Sequence, residues 1–139
     1  MVIITKFLEF RTKGENDIIN ITEDVGNILK ETNLENGIIL IFAVGATGAI
    51  TTIEYESGLL NDFRDAIARI APKDINYEHG KRWNDDNGRS HVKASLLKPD
   101  IMIPFKDKNL ILGTWQQLVF VELDTRPRER KTVVQIMGE

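Results

Sequence analysis

The sequence contains no cysteine. A disulfide framework, a thiolate metal centre and a cysteine nucleophile are therefore excluded. Histidine is almost as scarce. His79 and His91 are the only two, so few side chains are suited to moving protons near neutral pH. Long apolar runs are missing as well. The longest, Ile38–Gly45, is eight residues, against about 20 for a bilayer span. Met1–Ile4 is too short an apolar stretch for a signal-peptide core, so a cytoplasmic location and no membrane partner are expected. No sign of charge dominates either. Eighteen basic and twenty-one acidic side chains give −3, which excludes a whole-molecule field for nucleic acid. With 42% apolar residues the chain can build a core, and 139 residues suit one domain, 1–139.

What is present reads as alternating short elements. Val2–Arg11 is rich in β-branched and aromatic residues and predicts a strand. Gly14–Asp17 is a turn, and Ile18, Ile19 and Ile21 form a short strand. Thr22 is placed to cap a helix whose stripe is Val25, Ile28 and Leu29, with Glu23 and Asp24 in its first turn. Ile38–Val44 is apolar at successive positions, the pattern of a central strand buried on both faces. After Gly45–Ala49, Ile50–Tyr55 resumes as strand. Ser57 then opens a helix carrying Leu59, Leu60, Phe63, Ile67 and Ile70 on one face, ended by Pro72. Residues 73–89 form a long polar connection, and His91–Leu97 a short helix stopped by Pro99. The remainder predicts strands at Ile101–Ile103, Leu110–Leu112, Thr114–Leu123 and Lys131–Met137, with a hairpin turn at Asp107–Asn109.

Strands at both ends with helices between them predict a single α+β domain. Its expected architecture is a mostly antiparallel mixed sheet with about three helices on one side. Leu118–Val121 is apolar on both faces and needs two covers, one of which self-association would supply.

Four constellations could carry chemistry. Gly45-Ala46-Thr47-Gly48 could let phosphate approach backbone N–H groups, but it lacks a Walker lysine and also reads as a plain bend. His79 and His91 bracket a polar segment with Lys81, Arg82 and Arg89 that suits an anionic substrate, with a histidine as acid or base. The same pair, completed by Glu54, Asp85 or Asp86, could hold a metal in three dimensions. The plainer reading is two solvated loop histidines. Arg126-Pro127-Arg128-Glu129-Arg130-Lys131 offers planar guanidinium groups for phosphate, or is a solvated turn. Gly113-Thr114-Trp115-Gln116 offers an apolar wall beside an amide, or is a core tryptophan at a strand start.

One string is more specific. Ser95-Leu96-Leu97, Pro104 and Leu110-x-Leu112-Gly113-Thr114-Trp115-Gln116-Gln117 resemble the signature of the YjbQ family, also called secondary thiamine-phosphate synthase. Glu54, Tyr77-x-His79, His91, Arg126-Pro127-Arg128-x-Arg130 and Val133-Val134-Gln135 continue the likeness along essentially the whole chain. Many members carry a further histidine where Gly45 stands here, and glycines where Lys98 and Lys108 stand.

The resemblance implies an α+β subunit that assembles as a homotrimer, with pockets near subunit contacts. It also implies a weak thiamine-phosphate synthase activity, a transferase reaction joining hydroxymethylpyrimidine diphosphate to thiazole phosphate with loss of pyrophosphate. In that frame His79, His91 and Glu54 are the catalytic candidates. Arg126, Arg128, Arg89, Thr114, Trp115, Gln116 and Ser95 are candidates for substrate and phosphate. A divalent ion, Mg²⁺ or Zn²⁺, on His79 and His91 is the candidate cofactor. Two alternatives stand beside it: a non-catalytic module that binds a small phosphorylated metabolite, and a metal-dependent hydrolase-like site using His79, His91 and a carboxylate.

Overall fold

A computed structural model describes residues 1–139. The elements run β1 (Val2–Arg11), β2 (Ile18–Asn20), α1 (Thr22–Lys30), β3 (Gly37–Ala43), β4 (Gly48–Ile53), α2 (Ser57–Ile70), α3 (Glu78–Trp83), α4 (Gly88–Leu97), β5 (Asp100–Lys106), β6 (Asn109–Leu110), β7 (Gln117–Glu122) and β8 (Glu129–Gly138). They form two sheets, β1-β8-β3-β5-β6 and β2-β7-β4. Every pairing is antiparallel, so the expected mixed sheet is corrected to two antiparallel ones. There are four helices. The extra one, α3, lies inside the polar connection, and its six residues bury none of their side chains. A helix without an apolar stripe leaves no periodic trace in sequence.

The run Ile38–Ala43 does become the middle strand of the larger sheet, with Ile39 and Ile41 fully buried. Strand β7 has apolar residues on both faces because it lies between two layers. Leu118 and Phe120 join Ile39, Ile41, Ile103, Val134 and Ile136 of the larger sheet, together with Val25 and Leu29 of α1. Val119 and Val121 join Leu60 and Ile67 of α2 and Ala94 of α4. Both covers therefore come from the same chain, and β7 needs no partner. The face left open is the outer one of the five-stranded sheet, where Ile3, Phe7, Phe42 and Met102 are exposed.

Local signals were partly displaced. Helix α2 is capped by Glu56 rather than Ser57. Its carboxylate accepts from the N–H groups of Gly58 and Leu59. Thr22 is the first residue of α1, and its hydroxyl instead accepts from the Leu118 N–H at 2.8 Å, tying the helix to β7. Strand β7 begins at Gln117, so Thr114–Gln116 forms a turn before it.

Asp107 and Lys108, both at positive φ (50° and 61°), make the two-residue hairpin between β5 and β6. Lys98 has φ 76° and ψ 154°, a conformation that only glycine adopts without strain. Lys98→Gly is accordingly expected to raise stability by about 1 kcal/mol, the strain relieved less the flexibility glycine adds to the unfolded chain. An unchanged or lower urea midpoint would refute this.

Candidate functional site

The site begins with the α3–α4 turn. Tyr77 donates its hydroxyl to the Pro72 carbonyl at 2.6 Å, pinning the start of α3. Asn84 ends α3 in the left-handed conformation, φ 53°. Gly88 opens α4 against Tyr77, and a Cβ there would lie 2.5 Å from the Tyr77 Cβ. This tight reversal brings together imidazoles twelve positions apart. The His79 and His91 rings lie 4.4 Å apart, inclined by 37°. His79 Nδ1 meets Asp85 Oδ1 at 2.9 Å. A carboxylate only accepts, so Nδ1 is the donor in this bond.

His91 faces an open cleft of about 400 Å³. The β3–β4 loop, Val44–Thr47, lines it together with Asp124, Arg128, Glu129, Arg130 and Lys131. The loop carries the chain from one sheet to the other. Gly45 sits there at φ +142°, where a Cβ would lie 3.2 Å from the Arg130 guanidinium. No acceptor within the chain takes the backbone N–H groups of Gly45, Ala46 or Thr47.

Beneath the cleft is a buried charged network. Arg130 donates to both oxygens of Glu122, with Nε–Oε2 at 2.7 Å, and to the Thr47 hydroxyl at 2.9 Å. Asp124 accepts from the Thr125 N–H at 2.8 Å, the Thr47 hydroxyl at 3.3 Å and Arg128. Asn87 lies between two carboxylates. Its amide nitrogen reaches Asp124 at 3.4 Å in one orientation and Asp85 Oδ1 at 3.2 Å in the other. Burial alone would push the Asp124 carboxyl up, but the hydrogen bonds from Thr125 and Asn87 and the Arg128 guanidinium together hold it below its ordinary value. Arg128 is the half-exposed cation of this network and the one that faces solvent in the cleft.

The other sequence candidates lie elsewhere. Arg89 grips Glu15 with two donors, at 2.7 and 3.0 Å, and the Asp86 carbonyl with a third, at 2.9 Å. Its hydrogen bond to Glu15 raises its pKa, against the effect of burial. Arg89 lines a different cleft, beside Tyr77 and Asp85. Arg126 is exposed and outside the lining of the His91 cleft. The Ser95 hydroxyl is engaged by the His91 carbonyl at 2.8 Å, within α4. Glu54, Thr114 and Trp115 share a cleft at the opposite end of the β4/β7 pair. In register, Gly48 faces Glu122 at the histidine end and Ile53 faces Gln117 at the other. Five strand steps separate those ends, about 17 Å. One chain therefore does not unite Glu54 with the histidines.

Trp115 is 72% exposed, so it is no core residue. Gln116 pins the turn that carries it, through Gly113 and Thr52. Within one chain, no three histidine or carboxylate side chains gather at ligand spacing. Sequence reasoning missed Asp124 and Asn87. Asp124 follows β7 and Asn87 precedes α4, and they meet across 37 positions, so no local spacing marks them.

The profile of the UPF0047 protein YjbQ-like family matches residues 6–139. A UPF0047 protein of Methanothermobacter thermautotrophicus is 35% identical over 139 residues, covering 100% of this chain and 95% of that one. The YugU protein of Bacillus subtilis, also UPF0047, is 31% identical over 134 residues, 96% of this chain and 98% of that one. Among solved structures, a YbjQ-like protein of unknown function from Sulfolobus solfataricus superposes with a TM-score of 0.89 at 31% identity, covering 99% of this chain and 100% of that one. An uncharacterised YjbQ/UPF0047 protein from Clostridium acetobutylicum gives 0.82 at 30% identity, over 94% and 99%. No helix of the chain is long and apolar enough to cross a membrane. With the profile matched over nearly its whole length, the chain belongs to the YjbQ/UPF0047 family.

Proposed function

We propose that the His91 cleft binds the phosphate end of a small phosphorylated metabolite. The observation that supports this reading is convergence. His91, the exposed guanidinium of Arg128 and the free N–H groups of the Gly45–Thr47 loop all border one cavity of about 400 Å³. Oriented N–H groups and a planar guanidinium are the donors that phosphate oxygens take. Asp124 holds Arg128 in place, Arg130 is paired with Glu122 beneath, and Lys131 and Glu129 both stand at the rim, so the donors rather than a net positive charge carry the reading.

The same arrangement suits the weak thiamine-phosphate synthase reaction. Loss of pyrophosphate builds charge on a leaving oxygen. Arg128 and the loop N–H groups would take that charge, and His91, backed by the Asp85–His79 pair, would supply a proton. Trp115 lies too far away within one chain to be the wall for the pyrimidine ring. Glu54 is likewise too distant to orient a histidine, and no step is assigned to a metal.

The reading includes a homotrimer. The open outer face of the five-stranded sheet supports it. There, in register, Phe7 and Phe42 flank Val133 from the two sides, and Leu40 lies beside Met102. A face this apolar is ordinarily covered.

Titration calorimetry with pyrophosphate, on protein whose mass is fixed by sedimentation equilibrium, tests the reading. Arg128→Ala and His91→Ala are each expected to weaken binding by roughly 10- to 100-fold, the loss of one charge-assisted contact. Arg126→Ala should leave it unchanged. Turnover of hydroxymethylpyrimidine diphosphate and thiazole phosphate by the same samples separates enzyme from binding module. Absence of saturable pyrophosphate binding, or equal binding by Arg128→Ala, would overturn the assignment. A mass equal to one chain would remove the trimer.

A further inference from the structure

The cleft at the far end of β4 and β7 has the opposite character. It measures about 530 Å³ and is lined by Glu54, Tyr55, Glu56, Thr114 and Trp115, with the amides of Asn20 and Gln117. No lysine, arginine or histidine borders it, so its formal charge is carried by the two glutamates. Glu56 is occupied by the N-terminus of α2. Glu54 forms no ion pair with any cation of the chain.

Two aromatic rings stand beside that carboxylate, and each is held. The Tyr55 hydroxyl donates to the Ile18 carbonyl at 2.6 Å, which satisfies its polar tip and leaves a ring 43% exposed. Trp115 rides on a turn cross-linked three times. The Gln116 N–H reaches the Gly113 carbonyl, the Gly113 N–H reaches Gln116 Oε1, and Gln116 Nε2 reaches Thr52, at 3.0, 3.0 and 3.1 Å. Asn20 and Gln117 are joined to each other at 3.1 Å. The large indole is thus presented to solvent on a rigid mount. A pre-ordered aromatic face loses little freedom when it is covered.

We propose that this cleft binds a small organic cation, such as an N-methylated ammonium group, seated over the Trp115 indole with Glu54 as counter-charge. Indole is the strongest of the side-chain rings for cations, and a carboxylate at the rim selects charge over shape. A neutral ring would gain from Trp115 but not from Glu54. An anion would be repelled by both glutamates. Within one chain the site lies about 17 Å from the phosphate cleft along the same strands.

Choline and its neutral carbon analogue, 3,3-dimethylbutan-1-ol, test the proposal, read by tryptophan emission in a Trp83→Phe background so that Trp115 alone reports. Choline is expected to change the emission saturably, and the neutral analogue at least tenfold more weakly. Glu54→Gln should weaken choline binding about five- to tenfold without moving the melting temperature. Calorimetry on Trp115→Ala should find it weakened at least tenfold. Both variants should bind pyrophosphate as the parent does, so failure here is distinguishable from failure of the phosphate assignment. Equal response to the two probes, or no saturable response, overturns the proposal. So does Trp115 emission that is already blue-shifted and shielded from acrylamide in the free protein, because the ring would then be covered by a second copy.

Discussion

Glu122→Gln is expected to destabilise the protein by about 3–5 kcal/mol, read as a lower urea midpoint with unchanged slope. Glu122 is wholly buried, yet it is a charged residue at the end of a core strand. Its two oxygens take Arg130 bidentately, the Thr12 hydroxyl at 2.9 Å and the Asp124 N–H at 2.9 Å. All of these partners are donors. A glutamine would turn one acceptor into a donor and leave the Arg130 guanidinium, itself nearly buried, without its counter-charge. Breaking one side of such a pair costs more than removing both. Glu122→Leu combined with Arg130→Met should therefore recover much of the loss. A single-variant loss below about 1 kcal/mol would show that the network does not behave as a buried pair.

Gly37→Ala should cost about 3 kcal/mol, by direct overlap rather than lost contacts. A Cβ on Gly37 would lie 2.0 Å from the Met137 carbonyl oxygen and 2.7 Å from the Gly138 Cα. The cross-strand partner, Gly138, is equally tight, since its Cβ would lie 2.2 Å from the Asn36 carbonyl oxygen. Backbone cannot rotate away as a flexible side chain can, so β3 and β8 would have to part at this end. Gly26→Ala is the matched control. It lies inside α1 with nothing within 4 Å of the added carbon. It should stabilise by about 0.5–1 kcal/mol, the ordinary gain in a helix. Thermal unfolding of the two variants should move in opposite directions, and movement in the same direction would sink the account.

The parts of the fold legible in the sequence were those where burial writes a period. The apolar run Ile38–Ala43 does mark the middle strand of its sheet, but only the inner face of β3 (Ile39, Ile41 and Ala43) is covered, and Phe42 stands exposed on the outer one. Helix α2 carries a clear stripe. Even there the stripe overreached, since Ile70 is exposed at the frayed end of its helix. The double-faced run of β7 was read correctly as needing two covers. Its second cover was misassigned, because sequence does not say whether a layer comes from the same chain. Helix α3 was hidden, being a polar helix that buries nothing.

The site divided in the same way. The two histidines could be paired in advance because so few residues compete for the role, and the short α3–α4 turn does bring them together. Asp124 and Asn87 were invisible, and Thr47 was noticed only for the backbone of its loop, not for the hydroxyl that meets Arg130 and Asp124. Each acts through a partner dozens of positions away, and ordinary residue types at ordinary spacings carry no mark of that. For Trp115 residue type left two readings open, an apolar wall for a ligand or an interior ring, and its exposure removes the second. The turn that holds it outward depends on the Gln116 side chain bonding back to Gly113, a contact no periodicity reports.

The edge strand β1 pairs only with β8, Val2 opposite Gly138 and Arg11 opposite Glu129. The longest ladder in the molecule thus joins residues 2–11 to residues 129–138 and closes a loop of more than a hundred residues. Such closure lowers the entropy of the chain before any contact compensates it. Folding dominated by separations of this kind runs in milliseconds to seconds rather than microseconds. During synthesis β1 emerges more than a hundred residues ahead of β8 and has no mate until that strand appears.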